Sequence, residues 1–542
     1  MISRIVCGFF YKNLCVQDLK NNFNHKRKNV LELVVPNFPG RQTIMKEIVY
    51  LTLIITVLTL TVISCNKIDK NLGSVSARMV LANEKQIEQK KDHEIIVGSF
   101  LGDERRCYYG ENPPSSLNLI WKCWLGGAKS HMIYNLTGSN MRYGAGWTGQ
   151  PLLFKEKEKL FLLQGSFDYN LRKIDASNGN VVWKYSFDDA IKGTGTLYLN
   201  KNSESEESRF IVLQGSRQSA KSEYNYRGIS VSSGEELFRM KVERTKSYSR
   251  DVDGSALIVG DTAYIGLENG IFKVFNPGNK NVVKNGKFYE PELYKELNLF
   301  SSKDIARIGG NIITESSPAY LDGKIYISSG SGYVYRYNIA KGEIDWEYFI
   351  GSDLDGSPVI TEDSCLLVPV EKQFIAGNGG LLKLDPRKSP EDALVWYYPV
   401  GNLHMLSWEG GVIGSASIND KYKSPNTKSL AAFSGIDGYL YVVDYKSSNG
   451  VAISFDGKTT VDKPELVFKY KTGSSISSPI IFKDKLISCG YGGIYLFKFD
   501  ENYNFTLIEK KNYNFEATPV VYDGKVFVAS KDGWLYCFGD LE

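Results

Sequence analysis

The feature that most constrains this chain is an internal repeat. Residues 314–348 and 515–540 each carry a proline, an Asp-Gly pair four residues later, and a second glycine ten residues after that aspartate. Between these markers lie short runs rich in Val, Ile, Tyr and Phe, which is typical of antiparallel strands joined by tight hairpins. The repeat therefore predicts one strand-rich unit that recurs along the chain.

Each unit is predicted to hold four strands. In the best-defined unit we expect them at Ala319–Leu321, Lys324–Ser328, Tyr333–Asn338 and Glu343–Tyr348. Four-stranded meanders repeated radially form the blades of a β-propeller, and the small residues that open each first strand suit the narrow centre of such a ring. Aromatic residues recur in the fourth strand and are expected to pack between blades, at Trp183, Phe238, Trp346, Trp396 and Phe468.

Eight units can be counted from a proline-like position that precedes each first strand. These positions are Pro151, Thr196, Ala256, Pro318, Pro358, Ala416, Pro479 and Pro519. The last unit ends after three strands, and Asn118–Leu125 is expected to supply its fourth. The predicted fold is all-β: an eight-bladed β-propeller of four-stranded antiparallel blades over residues 117–540. An N-terminal strand joins the C-terminal blade, which closes the ring and protects its sheet edges.

The N-terminal region predicts a lipid anchor. Ile48–Ile63 is an apolar run of 16 residues, shorter than the ~20 that span a bilayer and typical of a signal-peptide core. The following Val62–Cys65 resembles the lipobox of bacterial lipoproteins, which makes Cys65 the predicted site of acylation, for example with palmitate. An N-terminal membrane anchor with an incidental cysteine stays open as the alternative. Because Asn66 rather than Asp follows the cysteine, the predicted location is the outer membrane of the cell envelope.

The segments around this cysteine complete the predicted domain organisation. Residues 1–44 are interpreted as an over-extended gene start before Met45, residues 45–64 as a lipoprotein signal peptide, and residues 65–116 as a polar tether. Removal of residues 1–64 would take the 65 basic and 61 acidic residues to 57 and 58. A nearly neutral chain without a basic stripe argues against nucleic acid as a partner.

Cysteines and histidines are too few and too scattered to predict a metal or haem site. The chain has four histidines and no C-x-x-C pair. A disulfide between Cys123 and Cys537 and buried free thiols both stay open. Two Asp-x-Asp-Gly-Ser segments, at 251–255 and 353–357, lack the distal glutamate of a calcium loop. They are interpreted as turns that lead into first strands.

The repeat motif, S-P-x-x-x-D-G-K followed by a glycine turn and a G-x-x-x-W strand, resembles the pyrroloquinoline-quinone (PQQ) repeat. That family includes quinoprotein dehydrogenases, which bind PQQ and calcium, and non-catalytic lipoproteins of the BamB type, which act in outer-membrane protein assembly. The lipobox and single ring resemble the second group. The adjacent cysteines of the alcohol-type enzymes are absent, so we predict no catalytic residues and no cofactor, with PQQ and calcium expected only under an enzymatic alternative. Arg250–Asp253 is similar to the acidic segment with which BamB-type proteins contact their assembly partner.

Long loops on one rim of the ring are the predicted binding surface, since exposed loops on a rigid scaffold usually carry binding. The candidate residues are Arg142, Tyr143, Trp147, Arg250, Asp251, Asp253, His404 and Trp408. The leading hypothesis is a lipid-anchored, non-enzymatic propeller that binds an envelope protein and is a monomer outside its complexes. A PQQ- and calcium-dependent dehydrogenase is the alternative. A glycan-binding surface lipoprotein, suggested by 34 tyrosines, is the third.

Overall fold

The computed structural model describes residues 93–129, 141–219, 222–278 and 283–541. The predicted signal peptide, the lipidated Cys65 and residues 1–44 lie outside these ranges. Within the described part of the chain, no helix combines the length and apolarity that a membrane crossing needs.

Nearly all regular structure in the described ranges is β-strand. The strands of the N-terminal half are β1 His93–Val97, β2 Gly110–Glu111, β3 Asn118–Trp124, β4 Gly127–Lys129, β5 Met141–Tyr143, β6 Leu152–Glu156, β7 Lys159–Gly165, β8 Asn170–Asp175, β9 Val181–Ser186, β10 Thr196–Leu199, β11 Phe210–Gly215, β12 Tyr226–Ser230, β13 Glu236–Met240, β14 Leu257–Val259, β15 Thr262–Gly266, β16 Ile271–Phe275, β17 Val283–Asn285, β18 Phe288–Glu290 and β19 Leu293–Asn298. Two short helices, α1 Glu206–Arg209 and α2 Ser302–Ile308, accompany them.

The C-terminal half continues in the same way. Its strands are β20 Ala319–Leu321, β21 Lys324–Ser329, β22 Tyr333–Asn338, β23 Glu343–Phe349, β24 Val359–Ile360, β25 Leu366–Val370, β26 Gly380–Leu384, β27 Leu394–Pro399, β28 Ser417–Ile418, β29 Leu430–Ser434, β30 Tyr439–Ile453, β31 Thr460–Lys471, β32 Ile480–Ile481, β33 Lys485–Gly490, β34 Gly493–Phe499, β35 Phe505–Lys511, β36 Val520–Tyr522, β37 Lys525–Ala529 and β38 Trp534–Gly539. A 3-10 turn lies at Pro390–Asp392.

These strands form eight antiparallel blades, which confirms the predicted fold class. The blades in chain order are β6–β9, β10–β13, β14–β16 with β19, β20–β23, β24–β27, β28–β31, β32–β35, and β36–β38 with β3. Every first strand begins at or one residue after its predicted proline-like position. We number the blades 1 to 8 in this order.

The last blade combines the two ends of the propeller. Strand β3, which the sequence predicted for this place, pairs antiparallel with β38, and β2 pairs in parallel with the inner strand β36. The register sets Cys537 opposite Trp121 and Cys123 opposite Leu535, and both cysteines are buried free thiols. Burial raises the pKa of Cys537 to about 12, so this thiol is not a reactive thiolate.

Fourth-strand tryptophans fix neighbouring blades to one another. In each case the indole N–H donates to a carbonyl at the end of the third strand in the next blade. The bonds are Trp183 to Val231 at 3.0 Å, Trp346 to Lys388 at 3.1 Å, Trp396 to Tyr445 at 3.0 Å and, across the closure, Trp121 to Ala176 at 3.1 Å. The predicted packing of these aromatic residues between blades is therefore confirmed, with a hydrogen bond added.

The small residues that open the first strands form a belt of hydrogen bonds around the channel. The backbone N–H of Ser317 donates to the Ser357 hydroxyl at 2.8 Å, and the N–H of Ser357 donates to the Ser415 hydroxyl at 2.8 Å. We call the residues at these positions the hydroxyl belt, with Gln150 in the place of blade 1: Gln150, Thr194, Ser255, Ser317, Ser357, Ser415, Ser478 and Thr518. Hydrogen bonds of this kind make five of the eight links between neighbouring blades. The belt satisfies backbone donors that would otherwise be buried without partners.

We expect Ser357→Ala to lower the free energy of unfolding by roughly 1 to 3 kcal/mol, because it leaves the buried N–H of Ser317 without an acceptor. Urea denaturation of the variant and the wild type measures the difference. Ser389→Ala is the control, since that exposed hydroxyl bonds only to Asp392 on the surface. Equal stability of the two variants would contradict the role of the belt.

The C-terminal part of the predicted tether, residues 93–116, is packed into the propeller instead. Phe100, Leu101, Arg106 and Tyr109 are fully buried. The segment hydrogen-bonds to the first strand, or to the residues just before it, in seven blades. The pairs are Leu101 with Gln150, Gly98 with Leu197, Phe100 with Ser255, Glu104 with Tyr320, Arg105 with Ile360, Tyr109 with Ile418 and Tyr109 with Val521. It therefore fills the central channel, and we call residues 98–111 the plug.

The long insertion between β30 and β31 of blade 6 packs against the neighbouring blade. Strands β30 and β31 extend into a hairpin that folds back over β27 of blade 5. The ammonium of Lys463 lies 4.8 Å from the centre of the Tyr398 ring, and the N–H of Gly377 donates to Phe455 at 2.9 Å. The hairpin covers an outer strand that would otherwise be exposed.

Candidate functional site

The candidate site is a cavity of about 720 Å3 at the mouth of the channel. It lies on the front rim, which we define as the connections between blades together with the loops that join second and third strands. The residue two positions before each belt residue lines this cavity in seven blades, namely Lys192, Asp253, Glu315, Asp355, Ile413, Ile476 and Glu516. The repeat thus places one equivalent side chain per blade around the mouth, and five of these seven are charged.

This register is the signal that sequence reasoning missed. The motif drew attention to the proline-like position, whereas the residue three places before it, or four places before it in blade 2, faces the cavity. Lys192, Glu315 and Glu516 could have been found in this way from the aligned repeats. Glu371 could not, because it follows the second strand of blade 5 and reaches the cavity only through the packing of its loop.

Lys192 fills the first of two carboxylate clusters on the front rim. Oxygen atoms of Asp253, Glu268 and Glu315 all lie within 4.8 Å of one another. The Lys192 ammonium lies 2.5 Å from Asp253 Oδ2 and 3.3 Å from Asp251 Oδ2. We call this group the Lys192 cluster.

Ion pairing and burial compete inside the Lys192 cluster. Burial acts to lower the pKa of Lys192, but Asp253 and the other carboxylates outweigh it and hold that pKa well above its ordinary value. Burial also acts to raise the pKa of Asp251. The positive charges of Lys192 and Arg217 outweigh this effect, so the pKa of Asp251 is lowered. Burial raises the pKa of Glu315 to about 8. The cluster therefore holds a fixed, protonated lysine.

The second cluster consists of Asp353, Asp355 and Glu371, and we call it the Asp353 triad. Its carboxylate oxygens also lie within 4.8 Å of one another, and its members are 5%, 9% and 3% exposed. Within the described ranges no lysine or arginine forms an ion pair with any of them. Asn311 donates to Asp353 Oδ2 at 2.8 Å, while Oδ1 of Asp353 and Oδ1 of Asp355 are buried without a hydrogen-bond partner among the described residues.

Because no lysine or arginine of the described residues pairs with the Asp353 triad, the pKa values of its carboxyl groups are shifted. Burial, followed by repulsion from neighbouring carboxylates, raises the pKa of Asp355 and the pKa of Glu371 well above their ordinary values. Buried carboxylates without partners are unfavourable and take up protons or attract a positive group. The triad is therefore a place where a cationic group would be stabilised.

The structure separates the predicted candidate residues into three sets. Arg142, Trp147, Asp253 and Trp408 line the cavity. Tyr143 and His404 are exposed on the front rim. Arg250 and Asp251 are buried, and Asp251 is paired with Lys192 and Arg217, so these two residues are not accessible to a partner in this structure.

Aromatic and aliphatic side chains form one wall of the cavity. Trp147 is 7% exposed and packs with Ile413, Ile476 and the half-buried Trp408. The indole N–H of Trp147 is buried without a hydrogen-bond partner among the described residues. The wall therefore offers apolar surface and one unused donor to a ligand.

Exposed apolar side chains surround the opening, and we call them the apolar rim: Tyr143, Tyr248, Phe374, Leu403 and Leu406. Tyr248 and Leu406 line the cavity itself and are 60% and 54% exposed. Phe374, also 54% exposed, follows the lining residue Gln373. Clustered apolar exposure around a pocket is typical of an interaction surface.

The lining does not fit PQQ. That cofactor is a tricarboxylate, and the cavity presents six carboxylates against the two cations Lys192 and Arg142. The cationic side of Lys192 is already occupied by Asp253. The oxygen donors of the Asp353 triad are compatible with calcium chemistry. Arg142 is the one lining cation without an ion pair among the described residues, and a single guanidinium does not balance a tricarboxylate.

No protein-family model and no curated protein sequence matches this chain. Solved structures do match its fold. BamB from Moraxella catarrhalis matches 77% of this chain and 100% of its own at 10% identity, with a TM-score of 0.46. A europium-containing methanol dehydrogenase matches 82% and 98% at 11% identity, with a TM-score of 0.50. Quinohemoprotein alcohol dehydrogenase from Comamonas testosteroni matches 82% and 81% at 11% identity, with a TM-score of 0.51.

At these identities the likeness shows the propeller fold alone. What each of those proteins binds or catalyses is a property of that protein. The chemistry of the present site therefore rests on its own residues: an acidic pocket with an unfilled carboxylate triad, an indole wall and an apolar rim.

Proposed function

We propose that the protein is a lipid-anchored, non-enzymatic propeller of the bacterial cell envelope that binds another envelope protein through its front rim. The observation that carries this proposal is the apolar rim around an acidic pocket. Protein interfaces combine a few anchoring side chains with a desolvated apolar surround. The lipid anchor at Cys65 and the outer-membrane location are supported by the lipobox.

The geometry favours a macromolecular partner over a small ligand. Exposed Leu403 and Phe374 do not line the cavity, so a ligand confined to the cavity would leave them uncovered. The loops that carry them are held by the rigid ring, so little ordering is required when a partner binds. A role in outer-membrane protein assembly belongs to this proposal through the resemblance of the repeat.

The two other functions considered from the sequence receive less support. PQQ does not fit the charge of the cavity, and we derive no catalytic step from it. A glycan could stack on the exposed Tyr143 and Tyr248, but the Trp147 ring is buried against Ile413 and Ile476. The exposed aliphatic Leu403 and Leu406 of the same rim favour a protein partner. We therefore propose neither an oxidoreductase nor a glycan-binding function.

We expect the double variant Phe374→Glu/Leu406→Glu to lose at least roughly tenfold in the amount of partner captured, since each change places a charge in a desolvated contact next to an acidic pocket. The measurement is crosslinking and affinity capture from solubilised envelopes with the lipidated protein, followed by mass spectrometry. Val182→Glu is the matched control, because Val182 is 53% exposed on the outer strand of blade 1. Partners captured equally by all three proteins would contradict binding through the front rim.

A further inference from the structure

The two carboxylate clusters of the front rim are repeats of one arrangement. Each combines an Asp-x-Asp-Gly-Ser segment before a first strand with a glutamate after the second strand of the same blade. In blade 3 the segment is Asp251–Ser255 and the glutamate is Glu268; in blade 5 they are Asp353–Ser357 and Glu371. The protein therefore contains this arrangement of two aspartates and a glutamate twice, once paired with a lysine and once without such a partner among the described residues.

The Lys192 cluster shows what this constellation accepts. A lysine from blade 2 extends into it and places its ammonium against two aspartates. The lysine side chain is 21% exposed, so its stem borders the cavity while its charge is held by the carboxylates. The cluster is thus a built cradle for an alkylammonium group.

The Asp353 triad has the same acidic groups and no such cation within the described residues. Two buried oxygens, one on Asp353 and one on Asp355, are without a hydrogen-bond partner there. Independently of these acids, Trp147 lines the same cavity, and its indole N–H is buried without a hydrogen-bond partner among the described residues. Unused acceptors and an unused donor in one cavity indicate a ligand that carries both a cation and a carbonyl or hydroxyl oxygen.

We propose that a lysine or arginine side chain of the bound partner enters the cavity and places its cationic group on the Asp353 triad. This inference rests on the proposed protein-binding function and names the chemistry of the partner: a basic side chain on a protruding segment with apolar neighbours. The aliphatic stem would lie along Trp408 and Leu406, and the flanking residues would cover the apolar rim. A main-chain carbonyl of the same segment would accept the Trp147 N–H.

A basic side chain of a partner explains the triad, the apolar rim and the Trp147 N–H together, whereas a metal ion explains only the triad. A divalent cation could be held by the triad oxygens, but it would leave the apolar rim exposed and the Trp147 N–H unused. The partner's cation compensates the triad in the way that Lys192 compensates its counterpart. Charge complementarity of this kind gives specificity and orientation to an interface.

The test uses two blocked pentapeptides and calcium as probes of the complete lipidated protein. One peptide is acetyl-Gly-Leu-Lys-Leu-Gly-amide, and the other has norleucine in place of lysine, which keeps the stem and removes the charge. Titrations followed by tryptophan fluorescence should show that the lysine peptide binds at least roughly tenfold more tightly than the norleucine peptide. The same titrations are made with calcium alone after chelator treatment.

The variant Asp355→Asn/Glu371→Gln should abolish the preference for lysine. These changes keep side-chain shape and relieve repulsion, so the variant is expected to fold, and circular dichroism checks this. Glu343→Gln/Glu347→Gln is the control, because it removes two exposed carboxylates from the outer strand of blade 4. This control should retain the full preference.

Equal binding of the two peptides by the wild type would overturn the inference. So would calcium binding that the triad variant abolishes and that excludes the lysine peptide, which would identify a metal site instead. Envelope capture separates this inference from the proposed function. If the triad variant captures the same partner as the wild type while Phe374→Glu/Leu406→Glu does not, the inference fails and the proposed function stands. If the wild type captures no partner, the proposed function fails, and the peptide titration still reports on the triad.

Discussion

Arg106→Met will lower the free energy of unfolding by roughly 3 to 5 kcal/mol at neutral pH. Arg106 is fully buried in the plug, and its guanidinium donates to Pro318 O at 2.6 and 2.8 Å. It also donates to the Ser99 hydroxyl at 2.7 Å and to Phe100 O at 2.9 Å. Methionine fills a similar volume but satisfies none of these acceptors, and the Pro318 and Phe100 carbonyls would be buried without partners.

The guanidinium is held by carbonyl oxygens in an apolar setting, and burial lowers the pKa of Arg106 to about 10. A cation in such a place is costly unless it is hydrogen-bonded, and here the guanidinium makes four hydrogen bonds. Arg106 therefore fixes the plug to blade 4 through a network that a hydrophobic residue cannot replace. Urea denaturation followed by circular dichroism measures the loss.

Arg105→Met is the control for this prediction, since the neighbouring Arg105 is only half-buried. We expect its effect to be within ~0.5 kcal/mol of the wild type, as for most surface substitutions. A stability of Arg106→Met equal to that of Arg105→Met would show that the plug does not contribute to the folded state in the way described.

Glu371→Gln will raise the free energy of unfolding by roughly 2 to 4 kcal/mol at about pH 8.5 and will have little effect at about pH 5. Burial and the nearby Asp353 and Glu315 raise the pKa of Glu371 well above its ordinary value. At high pH the folded wild type must either hold this carboxylate charged next to other carboxylates or keep a proton that the unfolded chain releases, and both lower its stability. Glutamine removes the charge and keeps the shape.

The sign follows from the direction of the shifts. Folding raises the pKa of Glu315 from 4.5 to about 8, so the folded state keeps a proton that the unfolded chain releases. The stabilisation from such a group is complete below about pH 4.5 and is lost as the pH rises through about 8. The pKa of Glu371 is also raised by folding, so its contribution to stability is likewise lost as the pH rises.

Denaturation of the variant and the wild type at both pH values measures the contribution of Glu371 together with the repulsion that it exerts on Asp355, because groups away from the triad change equally in the two proteins. Glu347→Gln, an exposed position on blade 4, is the control and should give no pH-dependent difference. A Glu371→Gln effect of equal size at both pH values would contradict the electrostatic origin. The same buried carboxylates that would bind a cation therefore lower the stability of the free protein.

The sequence alone determined the scaffold. Blade number, the start of every first strand and the inter-blade tryptophans all follow from local signals: a hairpin turn, a two-residue strand period and a small residue at the narrow end of each blade. These features depend on contacts within one repeat unit or between neighbouring units, and the unit occurs eight times in the sequence. Even the strand that completes blade 8 could be found, because the last unit lacks one strand and residues 118–125 have its composition.

Only the tertiary structure decided what the front rim contains. Asp353 and Asp355 could be read as a turn, but their third partner, Glu371, comes from a loop whose position depends on the packing of blade 5. Lys192 and Asp253 are 61 residues apart and meet only because blades 2 and 3 converge on the same mouth. The plug has no period of its own, so its polar composition suggested a tether, and its burial depends on a closed ring around it. Neighbouring residues determine the hydrogen bonds of a turn or a strand. Charge compensation in a pocket depends instead on which distant side chains the closed ring brings together.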